Sequence, residues 1–134
     1  MIEEAYVSFE VAKLLKEKGF VGKCRTCYTT EGRFILLPSF MLLASGPIIQ
    51  AAPGCLAPTQ QMVCEWLRQT AAYHIEVLAS YHFRVFDGYS FEVFSLLSEE
   101  HVDFGSDKGI FKSAPEACEA AIKFCLDRLP NKED

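Results

Sequence analysis

The sequence predicts an α+β domain: an antiparallel sheet of hairpins with about three helices packed on it, in the order α-ββ-loop-α-βββ-α. Three observations carry this prediction. Three segments repeat apolar residues at helical spacing between recognisable caps. Runs rich in aromatic and β-branched residues alternate with Glu-Gly and Asp-Gly pairs, the pattern of hairpins. The chain has 134 residues, 50% hydrophobic and 23% charged, enough for a single domain, 1–134, with a sizeable core. These values exclude a disordered chain, a collagen and a coiled coil.

Each element has its own signal. Ser8 caps a first helix with Phe9, Val11, Ala12, Leu14 and Leu15 on its apolar side, and Gly19 stops it. Segments 25–30 and 33–37 flank Glu31-Gly32 as a first hairpin, and Pro38 ends it. Residues 38–57 form a long apolar loop. Pro58 and Thr59 open a second helix, 58–70, with Met62, Val63, Trp66 and Leu67 on one face. It fades near Ala71 and Ala72. A strand over 74–80 puts Ile75, Val77 and Ala79 on one face and His74 with Glu76 on the other. Segments 83–86 and 89–97 flank Asp87-Gly88, the stronger hairpin signal. Residues 99–107 read as an acidic loop and 109–111 as a short edge strand. Ser113 caps the last helix, with Glu116 completing a capping box. Pro130 ends it, leaving a charged tail, 131–134.

The charges are unevenly spread. The net charge is −5, yet the 31 residues from Phe34 to Cys64 contain no Asp, Glu, Lys or Arg. Such a stretch is long enough to cross a bilayer. It also holds Pro38, Pro47, Pro53 and Pro58, each of which removes a backbone donor. A span must satisfy its backbone internally, so a membrane helix is excluded and a surface needing cover is expected. Phe40, Met41, Leu42, Leu43, Ile48 and Ile49 are its candidate interface residues. The expected closure is a homo-oligomer, most simply a dimer. The acidic balance argues against nucleic acid as a partner. Helix 58–70 with Arg68 is the remaining DNA-binding alternative.

The N-terminus, Met1-Ile2-Glu3-Glu4, lacks the features of a signal peptide, so a cytoplasmic location with reduced cysteines is expected. Cys24-Arg25-Thr26-Cys27 is the sharpest local pattern. Two thiolates at this spacing can hold one edge of a zinc tetrahedron or form a redox pair. No second such pair accompanies them, so a metal site is a weak candidate and no cofactor is expected. Cys118 and Cys125 share a helical face, as small core residues do, and Cys64 reads similarly. No nucleophile elbow or phosphate loop occurs. His74 and Glu76 are compatible with a general-base pair, but a solvated strand face is the better explanation of them. The acidic run at 99–103 lacks the alternation of a calcium loop.

Aromatic and arginine residues suggest a second function. Tyr81, Phe83, Phe86, Tyr89, Phe91 and Phe94 crowd one stretch with Arg84, while Arg25, Tyr28 and Arg33 lie in the first hairpin. Aromatic faces with guanidinium groups can hold a nucleobase and its phosphates. Arg25, Tyr28, Arg33, Tyr81, Arg84 and Tyr89 are therefore candidate ligand residues. The alternation of strand 83–86 places aromatics on both of its faces.

Several blocks resemble one another's counterparts in a known group. They are SFEVAKLLKEKGF at 8–20, APTQ at 57–60, WLR at 66–68, HIEV at 74–77, and the EA, AAIK and CL blocks at 116–126. Together they resemble small proteins without assigned activity, common in gut anaerobes and in their phages and mobile elements. The resemblance covers about half the chain and implies a setting, not a mechanism. Small acidic proteins in that setting often bind a host protein or a signalling molecule. The expected function is thus a small non-enzymatic, self-associating binding module. A nucleotide-sequestering protein acting against host defence is the alternative.

Overall fold

A computed structural model describes residues 4–22, 24–36, 54–98, 100–104 and 110–132. The fold is mixed α+β, with three helices and two antiparallel sheets among the described residues. The hairpins therefore enter two three-stranded sheets, not one. The chain groups into two compact units, 1–62 with 130–134, and 63–129.

In the first unit, helix α1 spans Phe9–Glu17. The Ser8 hydroxyl accepts from the Val11 amide at 3.2 Å, and Gly19 turns the chain at φ +84°. Val11, Ala12 and Leu15 are its buried residues. Strand β1 (Thr26–Tyr28) pairs with β2 (Phe34–Leu36) on one side and with β3 (Cys55–Leu56) on the other. Strand β3 corrects the expectation of an uninterrupted loop over 38–57. Extended backbone at 55–56 gives β1 a partner on its second edge, so the ladder is paired on both sides. The rest of that segment, through 53, lies outside the described residues. The buried Thr26 hydroxyl donates to the Ala57 carbonyl at 2.6 Å.

The tail is also corrected in part. Residues 131 and 132 are tied down: the Lys132 amide donates to the Glu17 carbonyl at 2.8 Å, and Lys18 Nζ reaches Asn131 Oδ1 at 2.8 Å. The first contact satisfies a carbonyl that the end of α1 leaves open.

Helix α2 spans Gln60–Ala71, with the division between the units in its first turn. Val63 and Leu67 are fully buried. Ala72 follows with φ +57°, the left-handed stop that glycine usually supplies. In the second unit, strands β4 (Tyr73–His82), β5 (Val85–Ser95) and β6 (Glu100–Phe104) form a sheet with β5 central. Helix α3 (Ala114–Asp127) packs on β4 and β5. The first half of the expected capping box is present, the Glu116 amide donating to Ser113 Oγ at 3.2 Å, while Glu116 Oε2 accepts from the Lys112 amide, one residue before the cap. Ala117, Ala121, Ile122, Cys125 and Leu126 form its buried stripe against Ile75, Phe91 and Val93 on the sheet's residues.

Two further expectations fail in this unit. Segment 100–104 is a strand, not part of an acidic loop. It is an edge strand, where charged residues discourage pairing with another chain. And Asp87-Gly88 is not a turn: β5 runs straight through it. The ladder pairs Ser80 with Gly88 and then Tyr81 with Phe86, so Asp87 is an extra residue in a β-bulge. Gly88 has φ +142°, and a β-carbon there would lie 2.6 Å from the Phe111 carbonyl oxygen. That close approach carries the paired bonds between Tyr89 and Phe111, both 2.8 Å. Of the expected edge strand at 109–111, residue 109 lies outside the described residues and Phe111 makes an isolated bridge to Tyr89.

Phe91 is the largest fully buried side chain. Phe91→Ala should lower unfolding stability by about 3–5 kcal/mol in denaturant titration, as a transfer loss plus a cavity. A loss under about 1 kcal/mol would place Phe91 outside the core.

Candidate functional site

The turn between β4 and β5 is Phe83-Arg84. These residues have φ of +49° and +66°, so both occupy the left-handed region. A two-residue hairpin of the I′ kind demands that conformation, and Asn-Gly normally supplies it. Phenylalanine and arginine hold it against steric cost, about 1 kcal/mol or more each. The paired strands on either side impose it, with His82 opposite Val85.

The bulge decides which way the aromatic residues face. On β4, Ile75, Val77, Ala79 and Tyr81 share one side. Their partners on β5 are Val93, Phe91, Tyr89 and Phe86. Strict alternation would place Phe86 opposite to Phe91. The extra residue at Asp87 returns it to the same side. Tyr81, Phe86, Tyr89 and Phe91 therefore continue one face, which moves Phe86 from the side that alternation predicts, while Phe94, paired with His74, lies on the other face. Ring contacts trace the continuity: Tyr81 to Phe86 at 5.9 Å, Phe86 to Tyr89 at 5.3 Å, and Phe91 to Phe111 at 6.0 Å.

Burial falls steadily along that face. Phe91 is 1% exposed, Phe86 49% and Tyr81 65%, and Phe83 in the turn beyond is 87% exposed. Val85 and Leu78 are exposed as well. Residues 81–87 are exposed without exception, so both sides of the ribbon's end face solvent. Sheet faces in soluble domains ordinarily leave only one side wet, and that side is polar.

The six candidate ligand residues have different fates. Tyr28 is structural: its hydroxyl donates to the Val7 carbonyl at 2.7 Å, and its ring packs on Phe9 and Phe34. Arg25 and Arg33 are exposed residues flanking β1 and β2. Tyr81 and Arg84 lie at the exposed ribbon end, while Tyr89 is half-buried farther in. The candidate interface residues Phe40, Met41, Leu42, Leu43, Ile48 and Ile49 lie outside the described residues.

Sequence reading overlooked a cleft in the first unit. Phe9, Lys13, Lys16, Glu17, Thr29, Thr30, Gly54 and Cys55 line a hollow of about 360 Å³. Lys16 Nζ donates to the Gly54 carbonyl at 2.7 Å, and Lys13 Nζ stands 4.6 Å from the centre of the Phe9 ring. Both lysines had the look of plain solvent-facing helix residues. Their spacing of three, beside Phe9 on one helix side, was the available signal.

The Cys-x-x-Cys pair is buried in the first unit with Cys55. Burial pushes the Cys24 thiol up to about 11 and raises Cys27 and Cys55 too. These are poorly nucleophilic thiols near neutral pH. Among the described residues, no three His, Cys, Asp or Glu side chains gather as metal ligands. His74 Nε2 lies 3.3 Å from Glu76 Oε1 on an exposed strand face. Arg68 on α2 pairs with Glu65, whose carboxyl it holds below the usual range. No helix among the described residues is long and apolar enough to cross a membrane.

Replacing Phe83-Arg84 with Asn-Gly should raise stability by about 1–2 kcal/mol, because the new pair adopts the turn without steric cost. Thermal or denaturant unfolding reads this directly, and a decrease would contradict the left-handed turn. No protein-family model, curated protein or solved structure matches the chain.

Proposed function

We propose that this chain is a small non-enzymatic binding module that self-associates, using the uncovered end of the β4–β5 ribbon as a contact surface. One observation carries the reading. The apolar face that α3 covers near Phe91 continues, through a bulge, into Phe86 and Tyr81, which are exposed, and the adjoining turn exposes Phe83 as well. Contiguous exposed aromatic residues of this kind mark interaction surfaces. Two copies meeting about a twofold axis would each cover the other's patch. The charge-free stretch from Phe34 to Cys64 supports the same reading from sequence, since it too requires cover. A cytoplasmic setting in a phage or mobile element belongs to this proposal through the resemblance alone.

Sedimentation velocity on the full chain tests it. The wild type should sediment as a dimer at micromolar concentration. Phe83→Asp should weaken dimerisation at least about tenfold, or about 1.4 kcal/mol. Phe83 is exposed, and aspartate tolerates the left-handed turn at least as well as phenylalanine, so the substitution does not weaken folding. A wild type that remains monomeric removes self-association.

The cleft beside α1 favours a second reading, a site for a small anionic molecule such as a nucleotide. Its volume lies at the small end of ligand sites, and the two ammonium groups and two hydroxyls that border it outnumber the single Glu17 carboxylate. A thermal-shift series with mono-, di- and cyclic nucleotides should show a raised melting temperature that Lys13→Glu abolishes. No shift with any nucleotide rejects this reading.

A further inference from the structure

A pair of thiols in the second unit stands apart from the sites above. Cys64 on α2 and Cys118 on α3 place their sulfurs 3.8 Å apart. Both are half-buried, unlike the fully buried Cys125. This corrects the expectation that all three are core residues. They are 54 positions apart in sequence, so only folding brings them together.

We propose that Cys64 and Cys118 form a hydroperoxide-responsive thiol pair that closes reversibly into a disulfide joining α2 to α3. A bonded pair has sulfurs about 2.05 Å apart, so a short approach suffices. The other four cysteines are buried, whereas these two are only half-buried, which makes them the more accessible to a small peroxide.

The surroundings assign the roles. The Cys118 hydrogen bond holds the Cys64 thiol below its ordinary pKa, and Arg68 helps against the effect of burial. The bond to Cys64, and then burial, push Cys118 upward, with Glu119 adding to the effect. Arg68, one helical turn from Cys64, and Glu119, next to Cys118, favour negative charge on Cys64, which makes Cys64 the attacking sulfur and Cys118 the resolving thiol. In the first step the Cys64 thiolate attacks a peroxide oxygen. An S–O bond forms, the O–O bond breaks, and the leaving oxygen takes a proton as water or an alcohol. Sulfur loses two electrons and the peroxide gains them. In the second step the Cys118 sulfur attacks the sulfenic sulfur. The S–S bond forms, the S–O bond breaks, and hydroxide departs with the Cys118 proton as water.

The test uses the folded full chain, a stoichiometric amount of hydrogen peroxide, and an alkylating quench before mass spectrometry. The expected product has lost two hydrogens, contains a 64–118 linked peptide, and regains both thiols on treatment with dithiothreitol. Cys118→Ser should stop at a Cys64 sulfenic acid that a dimedone probe captures. Cys64→Ser and Cys64→Ala should both leave Cys118 fully alkylatable. The proposal fails if Cys64 and Cys118 stay alkylatable in the treated wild type, if the link joins other cysteines, or if Cys64→Ser forms a disulfide at the wild-type rate. Should the variants unfold by circular dichroism, the wild-type peptide map alone decides between the two results.

Discussion

The second unit depends on the long antiparallel ladder between β4 and β5, and above all on its register. Ten residue pairs run from Tyr73 with Ser95 to His82 with Val85. This register puts Ile75 beside Val93 and Val77 beside Phe91, creating the face on which α3 packs. A slip of one residue would turn Phe91 and Val93 outward. The single extra residue at Asp87 makes a controlled version of that slip. It leaves the inner half of the ladder untouched and reverses the outer half of β5. The same device that keeps the core intact therefore sends Phe86 to the aromatic face. Gly88 permits it, because the Phe111 carbonyl comes too close for any side chain.

Much of this architecture was legible in the sequence, and the failures have physical causes. The helices at α1 and α3 announced themselves through Ser8, Gly19, Ser113 and Glu116, because caps act through neighbours a turn away. Local signals of that range survive in any tertiary setting. Asp87-Gly88 was misleading for the same reason that it was attractive. Aspartate and glycine tolerate positive φ, which suits a bulge as well as a turn, and only pairing across the ladder decides between them. Phe83-Arg84 gives no local sign of a tight turn, since neither residue favours it. Strand β6 hid behind its acidic residues, which are common on edges but weaken a strand's sequence signature. Strand β3 has two residues and exists because β1 offers an unpaired edge.

The site shows a similar division. Tyr28 looked like a ligand residue, but its hydroxyl and ring are both engaged in holding the N-terminal segment and β2 to the first sheet. Aromatic chemistry in sequence cannot separate stacking on a ligand from stacking on a neighbour. The thiol pair was invisible for a different reason. Cys64 sits beside Val63 and Cys118 beside Ala117, both buried, and a helical stripe marks such positions as core. Their shared boundary emerges only where two helices approach.

The ribbon end carries the strongest case for a role beyond folding. A two-stranded ribbon with both sides wet has little stability of its own. Here its turn also holds two side-chain-bearing residues in a conformation better suited to Asn-Gly. The combined cost is about 2 kcal/mol or more, against a total stability of about 5–15 kcal/mol for a domain. Folding alone would favour a shorter ribbon, a polar face and a glycine in the turn. The chain instead extends its aromatic face into water and follows it, in the turn, with Phe83, the most exposed large apolar residue among those described. Cross-strand contacts such as Tyr81 with Phe86 steady the ribbon without covering it. A partner that buries those rings would offset the cost, and that balance distinguishes a contact surface from a poorly packed edge.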